Sequence, residues 1–241
     1  VPAGRDYEQA PEVAAVVPSW LPKRGNLRQR GAKRSVAVSR MTTRQGSAEV
    51  RTLVREAYGP VAASPHARSV FSSCHPVPRH AGSCSGSGLG CGDPLALARL
   101  RRGESVLDLG SGAGYECLAA AVEVGRQGQV IGIDVTPEMV TRARRNAIAT
   151  AAPNVSFVVG DIQSLPFSAG SFDVVISNCV VNLCPDKTRV FAETRRVLRC
   201  DGRLALSDIV AIAPLPSAMV GDLALYAACV ASAPTADRLR E

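Results

Sequence analysis

No run of 18 or more apolar residues occurs in the 241-residue chain, which excludes a hydrophobic transmembrane helix. No internal repeat is visible. Aromatic residues are scarce at 4%, and the apolar content is mostly Ala, Val and Leu. Acidic residues are missing altogether from Val13 to Ala48, a stretch that carries eight Lys/Arg among Pro, Gly and Ser. Such a segment cannot bury enough apolar surface to order itself. The eight cysteines show no regular spacing. They suit a reducing compartment better than a disulfide scaffold. Cys74, His75, His80, Cys84 and Cys91 could in principle hold zinc, but they contain no C-x-x-C pair.

Charge is divided unevenly. Residues 1–60 hold 11 Lys/Arg against 5 Asp/Glu, and residues 61–241 hold 17 against 16. The larger part is nearly neutral and has no nucleic-acid footprint. Residues 1–46 are expected to be a basic disordered leader, dispensable for folding. They read as a solvated tail, as translated sequence upstream of a start at Met41, or as an organellar transit peptide. The expected location is cytoplasmic, or organellar if the leader is a transit peptide.

The most informative segment is Val106-Leu-Asp-Leu-Gly-Ser-Gly-Ala-Gly114. A hydrophobic strand ends at Asp108 and passes into a glycine loop, and the apolar stretch from Tyr115 to Val124 reads as a helix. Glycines belong where the backbone turns tightly and a ligand approaches it. Asp134 closes a second strand 20 residues beyond Gly114, where a carboxylate can accept from ribose hydroxyls. A dinucleotide reading fits poorly. The spacing is G-x-G-x-G, and Glu116 stands in the first turn of the helix, where a pyrophosphate needs a bare positive end. A cofactor with an amino group and a sulfonium fits better, and S-adenosylmethionine carries both. The D-x-G-x-G-x-G pattern resembles the first motif of class I S-adenosylmethionine-dependent methyltransferases.

Further along, Asn154 to Asp161 reads as a third strand ending in Gly160-Asp161, and Ser171 to Asn178 as a fourth. Ligands of open α/β sheets bind beyond the carboxyl ends of strands, where Gly110, Asp134, Asp161 and Asn178 all stand. The resemblance implies cofactor contacts at Asp108, Gly110, Ser111, Gly112, Gly114, Asp134, Thr136, Met139, Asp161, Ile162 and Asn178, with Asp161 facing the adenine amino group.

Several words narrow the resemblance: SNCVVNL (177–183), PDK followed by RVF and RVL (185–198), GRLALSDIV (202–210), APLP (213–216) and GCGDPLALA (90–98). Together with VLDLGSGAG they closely resemble the arsenite methyltransferase family. The resemblance runs from about Leu89 to Val230. It implies an arsenic-binding pair at Cys179 and Cys229 and a third cysteine at Cys91. The upstream redox cysteine falls on Cys74 or Cys84. Trivalent arsenic is soft and thiophilic, so converging thiolates would hold it as sulfur holds other soft centres. Its lone pair then attacks the sulfonium methyl carbon, and catalysis is mostly the positioning of two reactants. Methylation oxidises arsenic, and a dithiol closing to a disulfide can return the electrons. Cys117, Cys184 and Cys200 read better as small buried hydrophobes. The implied partners are arsenite, free or as thiol conjugates, and a thiol reductant such as glutathione or thioredoxin. Neither nucleic acid nor membrane is implied, and a monomer is expected.

The expected fold is α/β: a Rossmann-like class I methyltransferase sheet with flanking helices, incomplete at the C-terminus. Residues 47–92 should hold an N-terminal helix and a Cys/Gly-rich loop, and residues 93–241 the cofactor-binding domain. Ser47 should cap a helix carrying Val50, Leu53, Val54 and Ala57 and ended by Gly59-Pro60. Asp93-Pro94 should open a helix to about Arg101. Strands are predicted near 105–109, 129–134, 155–159, 172–177 and 203–210, with helices from Thr136 to about Ala149 and from Asp186 to Asp201-Gly202.

Overall fold

The computed structural model describes residues 44–63, 92–220 and 222–240. Five parallel strands form one sheet: β1 (Ser105–Leu109), β2 (Gln129–Asp134), β3 (Val155–Val159), β4 (Phe172–Asn178) and β5 (Leu198–Ser207), in the order β3-β2-β1-β4-β5. β1 to β4 form where expected, and the central strands β1 and β4 are largely apolar on both faces, as a covered parallel sheet requires. Helices α1 (Arg44–Ala63), α2 (Pro94–Ala98), α3 (Tyr115–Val124), α4 (Pro137–Ala149) and α5 (Lys187–Val197) come before β5 in sequence. The short α6 (Ser217–Val220), α7 (Leu223–Ala227) and α8 (Ala236–Arg240) follow it.

Each face of the sheet has its own core. Val106, Val130, Val174 and Ile176 meet Cys117, Ala120 and Val124 of α3 and Val140 and Ala143 of α4 on one side. On the other, Leu107, Leu109, Ile133 and Val175 meet Val190 and Val197 of α5. The chain leaves β1 toward β2 and later returns to its other side through β4. The topological switch point, where such sheets bind ligands, is thus the crevice between β1 and β4. A third apolar cluster lies at the carboxyl end. Val50 and Val54 of α1 pack there with Leu183, Tyr226, Cys229 and Ala231, and with Val135, Cys179 and Ile209, which directly follow or lie close after strands. Helix α1 therefore covers the rim that holds the site.

Four boundaries differ from expectation. Ser47 lies inside α1, which starts at Arg44, and buried Gly46 belongs to the helix and not to a leader. Residues 1–43 lie outside the described residues. At its other end α1 runs through Gly59-Pro60 to Ala63. Arg142 of α4 donates from Nη1 to the carbonyls of Val61 (3.4 Å) and Ala62 (3.1 Å), satisfying terminal groups that local sequence leaves open. Helix α2 stops at Ala98, because Arg99 turns left-handed (φ 47°) and its N–H caps Leu95. Finally, α5 yields to β5 at Leu198, four residues before Gly202. Leu198 pairs with Phe172 and Arg203 with Val174, and between them the chain bulges, with Arg199 bound to Asp173. Cys200 lies in that bulge and is exposed, contrary to the buried position expected of it. Among the described residues no helix is long and apolar enough to cross a membrane.

Candidate active site

The glycine loop is hung from the neighbouring strand. The N–H groups of Gly110 and Ser111 donate to the Ile133 carbonyl at 2.8 and 3.0 Å. At Gly110 (φ 69°) a Cβ would stand 2.3 Å from Val180, so the loop and the segment after β4 touch there with no room for a side chain. At Gly112 (φ 51°) a Cβ would meet nothing within 4 Å, which leaves open space above the loop. Gly114 caps α3 at φ 85°. Ser111 faces the other way. Its buried hydroxyl has no partner and is turned toward β2, 2.6 Å from where a Cβ of Gly132 would lie.

The carboxylates divide between support and rim. Asp134 accepts from Gly112 N (2.9 Å) on one oxygen and from Thr136 N (2.8 Å) on the other, so it fixes the loop to the end of β2. Burial pushes its carboxyl up. Asp108, only 2% exposed, lies beneath the loop and accepts from the Cys117 thiol at 3.2 Å. Burial first, then the Glu116 charge, raises it well above the ordinary carboxylate range. Asn178 ends β4 and donates to Glu116 Oε1 (3.0 Å) and to the Gly92 carbonyl (3.0 Å), joining both sides of the crevice mouth. Asp161 accepts from Gln163 N (2.9 Å) and pairs with Arg51 of α1 at 2.6 Å. Thr136 and Met139 are buried at the start of α4, and Ile162 is buried in the core on the α5 side.

Two cysteines meet at the same rim. Cys179 directly follows β4 and Cys229 follows α7, yet the Cys229 thiol donates to the Cys179 carbonyl at 3.0 Å. Both have left-handed backbones, φ 54° and 62°, in a protein where only two other described non-glycine residues do. That conformation costs roughly 1–2 kcal/mol per residue, and it persists where the surroundings enforce it, commonly at functional sites. Cys179 is disulfide-bonded, whereas Cys117, Cys184, Cys200 and Cys229 are free. Burial and then the Asp208 charge push the Cys229 thiol up, so it is protonated at neutral pH. Burial likewise pushes Cys184 up to about 12. Cys74, Cys84 and Cys91, and with them the zinc alternative at His75 and His80, lie outside the described residues. Among the described residues no group of three His, Cys, Asp or Glu is placed to hold a metal.

A crevice at the switch point, a glycine loop with open space and a carboxylate behind it agree with the sequence comparison. The profile of a methyltransferase domain matches residues 100–241. The chain belongs to this methyltransferase family. Curated relatives include arsenite methyltransferases. That of Halobacterium salinarum is 54% identical over 153 residues, covering 64% of this chain and 39% of the relative. That of Aquipseudomonas alcaligenes is 42% identical, covering 60% and 43%. The human one is 33% identical over 207 residues, covering 77% and 54%. The chain thus spans about two fifths to half the length of these relatives. Among solved structures, an arsenic(III) S-adenosylmethionine methyltransferase from Chlamydomonas reinhardtii superposes with a TM-score of 0.59 at 32% identity. That match covers 78% of this chain and 59% of the other.

The candidate site also contains residues the sequence did not announce. Arg51, Arg55 and Tyr58 form a polar stripe on α1, at i, i+4 and i+7 beside apolar Val50 and Val54. Arg51 reaches Asp161, Arg55 donates to the Val135 carbonyl (2.9 Å), and the Tyr58 hydroxyl donates to Ala227 O (2.7 Å). The stripe was visible as spacing, but its destinations were not. Cys117, expected as a plain hydrophobe, is buried as expected but also holds Asp108.

Proposed function

We propose that this methyltransferase transfers a methyl group from S-adenosylmethionine to trivalent arsenic held by Cys179 and Cys229. The observation that carries the reading is the convergence of these two cysteines, 50 residues apart, at one strained rim beside the cofactor crevice. Methylation of a carbon or oxygen acceptor has no use for two thiols.

The cofactor's requirements fit the crevice. Gly112 leaves the space that a side chain would fill, and Asp134 retains lone pairs for ribose hydroxyls. Glu116, with Asn178, offers a carboxylate to an α-amino group. Asp161 is the acceptor for the adenine amino group, and Arg51 shares it in this structure. Ser111 and Asp108 support the loop from below. When bound, S-adenosylmethionine supplies an electrophilic methyl group on a positively charged sulfur.

The chain's own part is to hold the nucleophile. The Cys179 disulfide first opens to a thiol reductant. Each thiol then forms an As–S bond, and its proton leaves with an arsenic-bound hydroxyl as water. Bound in this way, arsenic carries no proton that a base must remove, and positioning does the remaining catalytic work. Cys91 stands in as the third thiol. Removal of arsenite by this route would serve detoxification.

The test is incubation of the reduced chain with labelled S-adenosylmethionine, arsenite and glutathione. Methylated arsenic is the expected product. Arsenite bound without turnover would make the chain a binding fragment. Methyl transfer only to carbon or oxygen acceptors would overturn the arsenic assignment.

A further inference from the structure

We propose that Asn182 is the positioning residue of the thiol pair: it holds the two left-handed cysteine turns at a separation one arsenic atom can bridge. This inference rests on the Cys179/Cys229 reading above. Asn182 lies three residues beyond Cys179, in a 3-10 turn (Val181–Leu183), and is 1% exposed. Its side-chain amide donates to the Ile209 carbonyl at 2.7 Å and to the Cys229 carbonyl at 3.4 Å. Its own N–H donates to Asp208 Oδ2 at 3.0 Å, and its carbonyl accepts from Lys187 Nζ at 3.4 Å. One residue thereby ties together the exit of β4, the exit of β5 and the Cys229 turn.

The side-chain type matters. Both carbonyls need N–H donors, and a carboxylate of the same shape would turn oxygen against oxygen. The direct tie between the two turns is the Cys229 thiol on the Cys179 carbonyl, and that thiol must leave the carbonyl when it binds arsenic. Cys179 N donates to Ser207 O, and Cys229 N donates to Tyr226 O. The Asn182 amide reaches the Cys229 turn from the Cys179 side, so it acts on their relative placement. It touches neither arsenic nor cofactor.

A ligand that binds two thiols gains from their effective concentration, and one that binds a single thiol does not. Phenylarsine oxide is a two-thiol probe. Its oxygen leaves as water with both thiol protons, giving two As–S bonds and no change in oxidation state. Dimethylarsinous acid forms one As–S bond and releases one water. Asn182→Ala and Asn182→Asp, in the full reduced chain, should lose about tenfold or more in phenylarsine oxide affinity. Dimethylarsinous acid and S-adenosylmethionine affinities should stay within about twofold. Asn182→Ser keeps one short donor and small volume, so it decides the matter if the other variants do not fold, and a smaller loss in the same direction is expected. Equal losses for both arsenicals, or no loss for phenylarsine oxide, would overturn the positioning role. A wild-type chain that binds phenylarsine oxide no better than Cys179→Ser would instead overturn the thiol pair itself.

Discussion

Asp134 links two functions through one carboxylate. Each oxygen already accepts a backbone N–H, one from the glycine loop and one from the start of α4. The remaining lone pairs face the role expected for ribose. An unmet hydroxyl in such a site costs roughly 1–3 kcal/mol, so Asp134→Ala should weaken S-adenosylmethionine by about tenfold or more. Calorimetry that finds unchanged affinity would remove the ribose assignment. The cysteines differ residue by residue in the same way. Cys179→Ser and Cys229→Ser should each abolish tight arsenite binding, because each removes a soft ligand, while S-adenosylmethionine binding persists. Cys200→Ser should alter neither, since that side chain is exposed on the β5 bulge away from the rim. Arsenic content measured on each purified variant separates these outcomes.

At the scale of elements, strands were legible and several helix ends were not. β1, β2 and β3 sit where predicted because buried parallel strands are short apolar runs between turn signals. The end of α1 depended on Arg142, a residue about 80 positions away, which no local pattern encodes. The start of β5 was hidden because the residues before Gly202 still carry helical spacing, while Asp173 and Phe172 draw them onto β4. One contact at that edge can be tested by pH. Arg203 of β5 bonds Glu104, just before β1, at 2.8 Å, and its guanidinium holds Glu104 below the ordinary carboxylate range. A depressed carboxyl stabilises the fold above its unfolded value of about 4.3. That contribution disappears as pH falls through the lowered folded value. With solvent screening it is worth about 0.5–1 kcal/mol. Glu104→Gln should therefore lower stability near neutrality and narrow the gap to wild type on acidification. Denaturant melts at pH 7 and pH 3 with an equal difference at both would reject the pair as the cause.

For the whole molecule, the glycine loop was readable because strand, loop and helix follow one another in the chain, and Asp134, Asp161 and Asn178 because each ends or follows a short apolar strand. The thiol side is assembled from the exits of β4 and β5 and the turn after α7. Only the words around each cysteine pointed to it. The φ values at Cys179 and Cys229, the Asn182 tie and the α1 cover all required the folded chain. This assembly gives a global readout. A ligand that binds the folded state alone adds RT ln(1 + [L]/Kd), about 2.7 kcal/mol at a hundred times Kd. For a chain of this size that raises the melting temperature by roughly 5–10 °C. Arsenite should produce such a shift in the reduced protein, since it joins the exit of β4 to the turn after α7. It should produce none while the Cys179 disulfide is closed, because one of its two ligands is then occupied. S-adenosylmethionine should raise the melting temperature in both redox states, since the glycine loop and Asp134 do not depend on that thiol. Thermal melts with and without reductant, each with arsenite or S-adenosylmethionine, check all four cases. An arsenite shift that survives oxidation would place the arsenic on thiols other than Cys179.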